Sequence, residues 1–263
     1  MSIAGSSLQI AAAGEPGKPK KKGKRGVMPM GTLRTGVEVG FRKFRYDNAV
    51  TANARPYTAE GSIHIVIDAE LHPWRRFLDN KVLDRLSIIG GAGYSPGISA
   101  STSSGMQVDA FWRSQHAGLR IRPLDRRVSV DVDAEWMHTL YAFRDENSAP
   151  VADTPDVDYH IARIGVRVLG KLTPQIDAWL GADNRVVVSG GPLEDRFRGS
   201  EVDGIAGRAG IAGFLLDRQL EARVEGAYAR FAWTFSPEVG DTYVADGGSD
   251  ALYGVTITVG IHY

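Results

Sequence analysis

The last twelve residues, Leu252-Tyr-Gly-Val-Thr-Ile-Thr-Val-Gly-Ile-His-Tyr263, decide how the rest of the chain is read. In an extended segment, Tyr253, Val255, Ile257, Val259, Ile261 and Tyr263 share one face. Gly254, Thr256, Thr258, Gly260 and His262 share the other. Strand side chains alternate with period two, so this is a β-strand with one apolar face. The segment 57–71 repeats the pattern, with Ala59, Gly61, Ile63, Ile65, Ile67, Ala69 and Leu71 on the apolar side. Eight more segments follow it: 33–44, 83–94, 106–122, 128–142, 158–169, 176–183, 204–216 and 220–233. No segment has a defensible helical period, and the reading is ten strands in an all-β chain.

The connections alternate as regularly as the strands. Long ones follow the odd strands, at 46–56, 95–105, 143–157, 184–203 and 234–250, and are rich in turn formers such as Ser95-Pro96-Gly97. Short ones follow the fourth, sixth and eighth strands, at 123–127, 170–175 and 217–219. Only the second connection, with Pro73-Trp74-Arg75-Arg76, breaks the short series. One end of the sheet therefore carries loops and the other tight turns. With an even strand count, both termini emerge at the turn end.

Composition narrows the class. The 263 residues contain no Cys, which excludes disulfides and thiolate metal sites. No run approaches the roughly 18 apolar residues of a transmembrane helix. The balance of 31 basic and 31 acidic residues hides an asymmetry. Residues 1–31 read as a flexible Gly/Pro/Lys-rich leader, distinct from the β domain at 32–263. The cluster Lys20-Lys21-Lys22-Gly23-Lys24-Arg25 could touch an anionic partner but is also what a solvated tail looks like. Ser7-Leu-Gln-Ile-Ala-Ala-Ala13 is too short and too polar for the apolar core of a signal peptide. Beyond the leader the chain uses Arg almost exclusively as its cation, the residue better suited to enclosed ion pairs.

The second face of the strands separates two architectures. A soluble β-sandwich buries its apolar faces and solvates the other. A membrane barrel turns its apolar face to lipid and must pair the charges of its lumen. The polar face here holds Glu38 and Arg42; Glu60, Asp68 and Glu70; Arg85; Asp109; Arg120 and Arg122; and Asp131, Asp133 and Glu135. It continues with Arg163 and Arg167, Asp177, Arg208, and Glu221, Arg223 and Glu225. Acids and arginines nearly balance, and Gly91, Gly165, Gly181, Gly210 and Gly260 leave room for long side chains. Turn lengths place Arg167 opposite Asp177, Arg120 opposite Asp131 and Glu135 opposite His116. The expectation is a closed antiparallel up-and-down transmembrane β-barrel of about ten strands, with a lumen plugged by its own charges.

These residues resemble the outer-membrane β-barrel proteins of Gram-negative bacteria. The resemblance rests on the C-terminal strand, and it implies that Tyr253, Val255, Ile257, Val259, Ile261 and Tyr263 form a signal read by the barrel-assembly machinery. It further implies surrounding outer-membrane lipid and lipopolysaccharide, external loops, and a periplasmic leader, whose basic cluster leaves room for a periplasmic partner. Tyr94, Trp112, Trp136, Tyr228, Tyr253 and Tyr263 look like interfacial girdles.

Little else points to chemistry. The histidines at 64, 72, 116, 138, 160 and 262 lack metal-ligand spacing along the chain, and no cofactor is expected. No phosphate-binding loop opens a helix, and nucleic acid is not an expected partner. Ser114-x-His116 shares a face, with a bulge expected between Trp112 and Leu119, and Glu135 could complete a nucleophile, base and orienting acid. Asp131, Asp133 and Glu135 could guide cations or simply pair with Arg120, Arg163 and Arg167. Loop acids Asp145, Glu146, Asp153 and Asp156 could bind Ca²⁺, and Arg75, Arg76 and Arg127 could touch headgroups at the turn end. The sequence leaves three roles in order: a non-enzymatic structural or loop-presenting barrel, a narrow channel for small ions or solutes, and an outer-membrane hydrolase.

Overall fold

The computed structural model describes residues 29–51, 54, 56–77, 82–95, 98–101, 107–144, 149, 151, 156–197 and 199–263. In chain order the strands are β1 (Gly31–Asp47), β2 (Tyr57–Leu71), β3 (Leu86–Tyr94), β4 (Ile98–Ser101), β5 (Gln107–Asp125) and β6 (Val128–Arg144). They continue with β7 (Val157–Thr173), β8 (Ile176–Ser189), β9 (Glu201–Leu215), β10 (Leu220–Thr234) and β11 (Gly247–His262). Each pairs antiparallel with its neighbours, β1 joins β11, and β3 joins β5. The result is a closed ten-stranded barrel in which short β4 is an extra strand paired to the loop end of β5. Among the described residues helix is confined to connections: α1 (Trp74–Phe77), α2 (Pro192–Arg196) and a 3-10 turn at Leu83–Arg85. None of these is long or apolar enough to cross a membrane.

Which face is buried decides between the sandwich and the barrel. Ile65, Ile257, Ile164 and Leu180 are 59%, 59%, 65% and 67% exposed, whereas Asp131 and Asp133 are 0% exposed. The apolar faces point outward around the whole cylinder and the charged faces point in. A soluble protein would expose no such continuous apolar belt. Closure supplies the other requirement, since a barrel leaves no edge of unpaired backbone groups in hydrocarbon.

Several sequence assignments shift. β1 starts at Gly31, and Met30 and Gly31 donate backbone hydrogen bonds to Tyr263 O, so both ends of the barrel meet at the turn end. Gly61, at φ +62°, sits in a bulge between β1 and β2. That bulge flips the facing beyond it: Ala59 packs inward with Tyr57 instead of joining the apolar belt. Alternation in β5 runs unbroken from Ala110 to Ile121, and its bulge lies between Ile121 and Leu124 rather than after Trp112. Trp112 therefore turns into the lumen, 6% exposed, and is no girdle residue, whereas Tyr94, Trp136, Tyr228, Tyr253 and Tyr263 are exposed. β8 extends to Ser189 and β9 begins at Glu201, so nine of the twenty residues of the expected long loop at 184–203 are strand. The remainder folds over the barrel mouth, with Leu193 and Phe197 buried.

If the belt faces lipid, Ile257→Arg or Ile65→Arg should each cost about 2–4 kcal/mol in a bilayer. Urea titration of protein refolded into vesicles measures this. Val239→Arg, at a fully exposed loop position, should leave the midpoint in place.

Candidate functional site: the charged lumen

From the turn end upward the lumen is stacked in layers. The lowest joins Arg34 of β1 to Glu221 of β10, with Nε and Nη2 donating at 3.1 Å each, and His262 Nε2 lies 2.9 Å from the same carboxylate. Beside them Arg122 donates twice to Asp131, at 2.7 and 3.2 Å, and Arg167 donates to Asp131 Oδ2 at 2.5 Å. Arg120 forks onto both oxygens of Asp133, at 2.7 and 3.2 Å, and its Nη1 reaches Glu70 at 2.8 Å. Forked arginine–carboxylate pairs are the strongest and most directional of the ordinary ion pairs.

The middle layers cross the barrel. Arg208 of β9 reaches Asp133 of β6 at 2.9 Å, and Arg163 bonds Glu135 and lies 3.2 Å from Asp183. Trp179 Nε1 donates to Glu225 at 2.7 Å while Arg223 covers its ring and bonds the same carboxylate. Small residues admit these side chains. A Cβ at Gly91 would meet Asp68 and His116; at Gly165, Arg163; at Gly181, Arg208; at Gly210, the Trp179 ring; and at Gly260, Arg34.

The loop end changes character. Arg42, 1% exposed, forks onto Asp250 at 2.9 and 2.7 Å and lies over the ring of Tyr141. Tyr159 donates to Asp250 at 2.9 Å, and Trp233 donates to the Tyr159 hydroxyl at 3.0 Å. Around and above these sits an apolar cluster of Phe44, Ile161, Leu193, Phe197, Phe231 and Phe235. Within the middle charge layers lies a cavity of about 240 Å³, lined by Glu38, His64, Ser114, Arg163, Arg208 and Glu225 among others.

The structure thus turns Glu38, Arg42, Asp68, Glu70, Arg120, Asp131, Asp133, Glu135, Arg163, Arg167, Asp177, Arg208, Arg223 and Glu225 into the lumen. Two expected members lie elsewhere. Arg85 belongs to the 3-10 turn before β3 and donates to Pro123 O at the turn end. Asp109 is exposed on the outer face, because unbroken alternation in β5 puts the even positions inside. The Glu60 side chain lies outside the described residues, and Asp183, at the end of the strand read at 176–183, joins the network with Arg185 from the segment read as loop.

Registers also differ. Arg120 stands opposite Asp133, because β5 runs on to Asp125 and the hairpin turns at Arg126-Arg127, later than a 123–127 turn implies. Arg167 stands opposite Gly181, and Asp177 pairs instead with Arg218. Glu135 stands opposite Gly118, yet its carboxylate lies 3.1 Å from His116 Nδ1. His116 Nε2 faces Asp68 at 3.2 Å, so neither ring nitrogen is left to take a proton from Ser114. The acidic stripe is buried among arginines rather than presented to passing cations. Asp156 is held by Arg144 at 2.7 Å, and Asp145, Glu146 and Asp153 lie outside the described residues. Arg75 donates to Pro29 O and Asp84 O, and Arg127 is exposed at a turn. His72, just beyond β2, is pushed down to about 4 by burial, which outweighs Glu70 at 3.5 Å.

A closed antiparallel barrel with an apolar exterior and a paired polar interior defines the outer-membrane β-barrel class of fold. Consistent with this, the chain superposes on the outer membrane protease OmpT of Escherichia coli with a TM-score of 0.51 at 10% identity, covering 89% of this chain and 96% of that one. The transport unit of the autotransporter AIDA-I of Escherichia coli aligns with a TM-score of 0.42 at 8% identity over 94% and 93% of the two chains. No protein-family model and no curated sequence matches the chain.

Breaking the network at its hub should be expensive, since removing one partner leaves the others buried and uncompensated. Asp133→Asn is expected to destabilise the refolded barrel by about 3–5 kcal/mol, read as a lower urea midpoint. Its effect should combine less than additively with Arg208→Gln. Ser114→Ala should move the midpoint little.

Proposed function

We propose that the protein is a sealed, non-enzymatic barrel of the outer membrane that anchors or presents its connecting segments. The single observation supporting this is that the lumen is filled twice over, by ion pairs at the turn end and an aromatic cap at the loop end. The cavity of about 240 Å³ in the middle of the lumen is flanked by both. The outward apolar belt favours outer-membrane lipid and lipopolysaccharide as surroundings, with the terminal strand serving the barrel-assembly machinery. On this reading the loop end faces the exterior, and the basic leader hangs in the periplasm, where a partner could meet it. The enclosure of His116 by two carboxylates argues against a hydrolase, and the pairing of the acidic stripe argues against a cation channel.

Planar-bilayer recording of the refolded protein tests the proposal, with heat-modifiable gel migration establishing that the barrel has folded. Electrical silence from inserted protein is expected. Discrete ohmic steps whose size changes in Asp133→Asn or Arg163→Gln would replace the sealed barrel with a pore filtered by the network.

A further inference from the structure

The strongest unassigned chemistry lies outside the barrel, on its outer face near the loop end. His138 of β6 and His160 of β7 stand directly opposite each other in register, their rings stacked at 4.6 Å and 15°. Asp158 is their outward neighbour on β7, and its Oδ1 lies 2.5 Å from His138 Nε2 and 3.9 Å from His160 Nε2. One ligand atom from each residue falls within 4.8 Å of the others. The chain spacing of these residues carries no metal motif, because antiparallel pairing, not sequence proximity, gathers them.

We infer that His138, Asp158 and His160 form a surface site for a first-row divalent cation of the Zn²⁺ kind. Two imidazole nitrogens and one carboxylate oxygen are ligands that such ions accept, and with three protein ligands a fourth position stays open to water. Ligand distances near Zn²⁺ of about 2.0–2.2 Å require ligand atoms roughly 3–4 Å apart. The observed separations bracket that range, so small side-chain rotations suffice.

Three features make the arrangement more than a stray ion pair. The β7–β8 register slips between His160 and Ile161, an irregularity of the kind that re-aims a side chain. Gly191, at φ +62°, packs so closely on Asp158 that a Cβ there would lie 2.6 Å from the Asp158 Cβ. Asp158 N also faces Gly190 O at 3.5 Å, so the β8–β9 connection holds the carboxylate in place. Finally, the side chains of His160 and Asp158 keep 42% and 35% exposure, leaving an approach for the ion, while Trp136 flanks His160 at 5.9 Å. Three titratable groups otherwise sit side by side on a face whose neighbours are apolar.

The test is calorimetric titration of Zn²⁺ into the untagged full chain, refolded in detergent micelles and verified by heat-modifiable migration. About one equivalent should bind the wild type, and His138→Gln, His160→Gln or Asp158→Asn should each weaken binding roughly tenfold or more. No saturable binding by folded wild type, or equal binding by folded wild type and variants, would overturn the site. Should the variants not fold, the visible spectrum of Co²⁺ added to wild type decides. An intense four-coordinate band supports the site, and a spectrum indistinguishable from aqueous Co²⁺ refutes it.

Discussion

A strand that crosses hydrocarbon has no water to satisfy its backbone, so every donor and acceptor must find another strand. That constraint forces closure and sends the apolar faces outward, where they meet lipid instead of one another. The hydrophobic effect, which in a soluble protein gathers the core, then has no core to gather in the middle of the barrel. Something else must hold the inside. Here it is a set of arginine–carboxylate forks that span the lumen, with Asp133 accepting from Arg120 on the neighbouring strand and Arg208 across the cylinder.

Enclosed charges cost desolvation and are stabilising only when each is fully partnered. The layering meets that demand for most of them, while Arg42 Nη1 and Arg208 Nε are buried without a hydrogen-bond partner. Asp131 serves Arg122 and Arg167, and Asp250 serves Arg42 and Tyr159. Glycines opposite the longest side chains keep the stack closed without clashes. Beyond the membrane, where water returns, the interior reverts to ordinary apolar packing. Phe197 stacks on Phe235 at 3.9 Å and Tyr159 on Phe231 at 4.5 Å, packing the connection between β8 and β9 onto the loop end.

The architecture was legible because period two is a local property. β11 announced it, and the strand count, the alternating connection lengths and the closed barrel followed from the same count. Register was not local. The bulge at Gly61 moves everything beyond it, which is why Ala59 changed face, and the late hairpin at Arg126-Arg127 is why Arg120 met Asp133 instead of Asp131. Asp109 misled for a related reason: β5 runs 19 residues, past the apolar belt, where an outward acid is no longer penalised. The segment from Asn184 to Ser189 alternates too, but its polar residues and nearby Gly-Gly-Pro made it read as loop. The outer His138–Asp158–His160 cluster carried no signal along the chain at all, since pairing of two strands creates it.

The central claim is that the outward face of each strand lies in lipid while the inward face is shielded within a lumen of paired charges. The absence of native Cys permits a clean nitroxide scan along β11, one introduced Cys at a time from Gly254 to Ile261. The account predicts oxygen collision rates that peak with period two at Val255, Ile257, Val259 and Ile261, with low access to a water-soluble nickel chelate at every position. High chelate access at Thr256 and Thr258 would mean a water-filled lumen, and loss of the period-two oxygen signal would contradict the barrel in lipid.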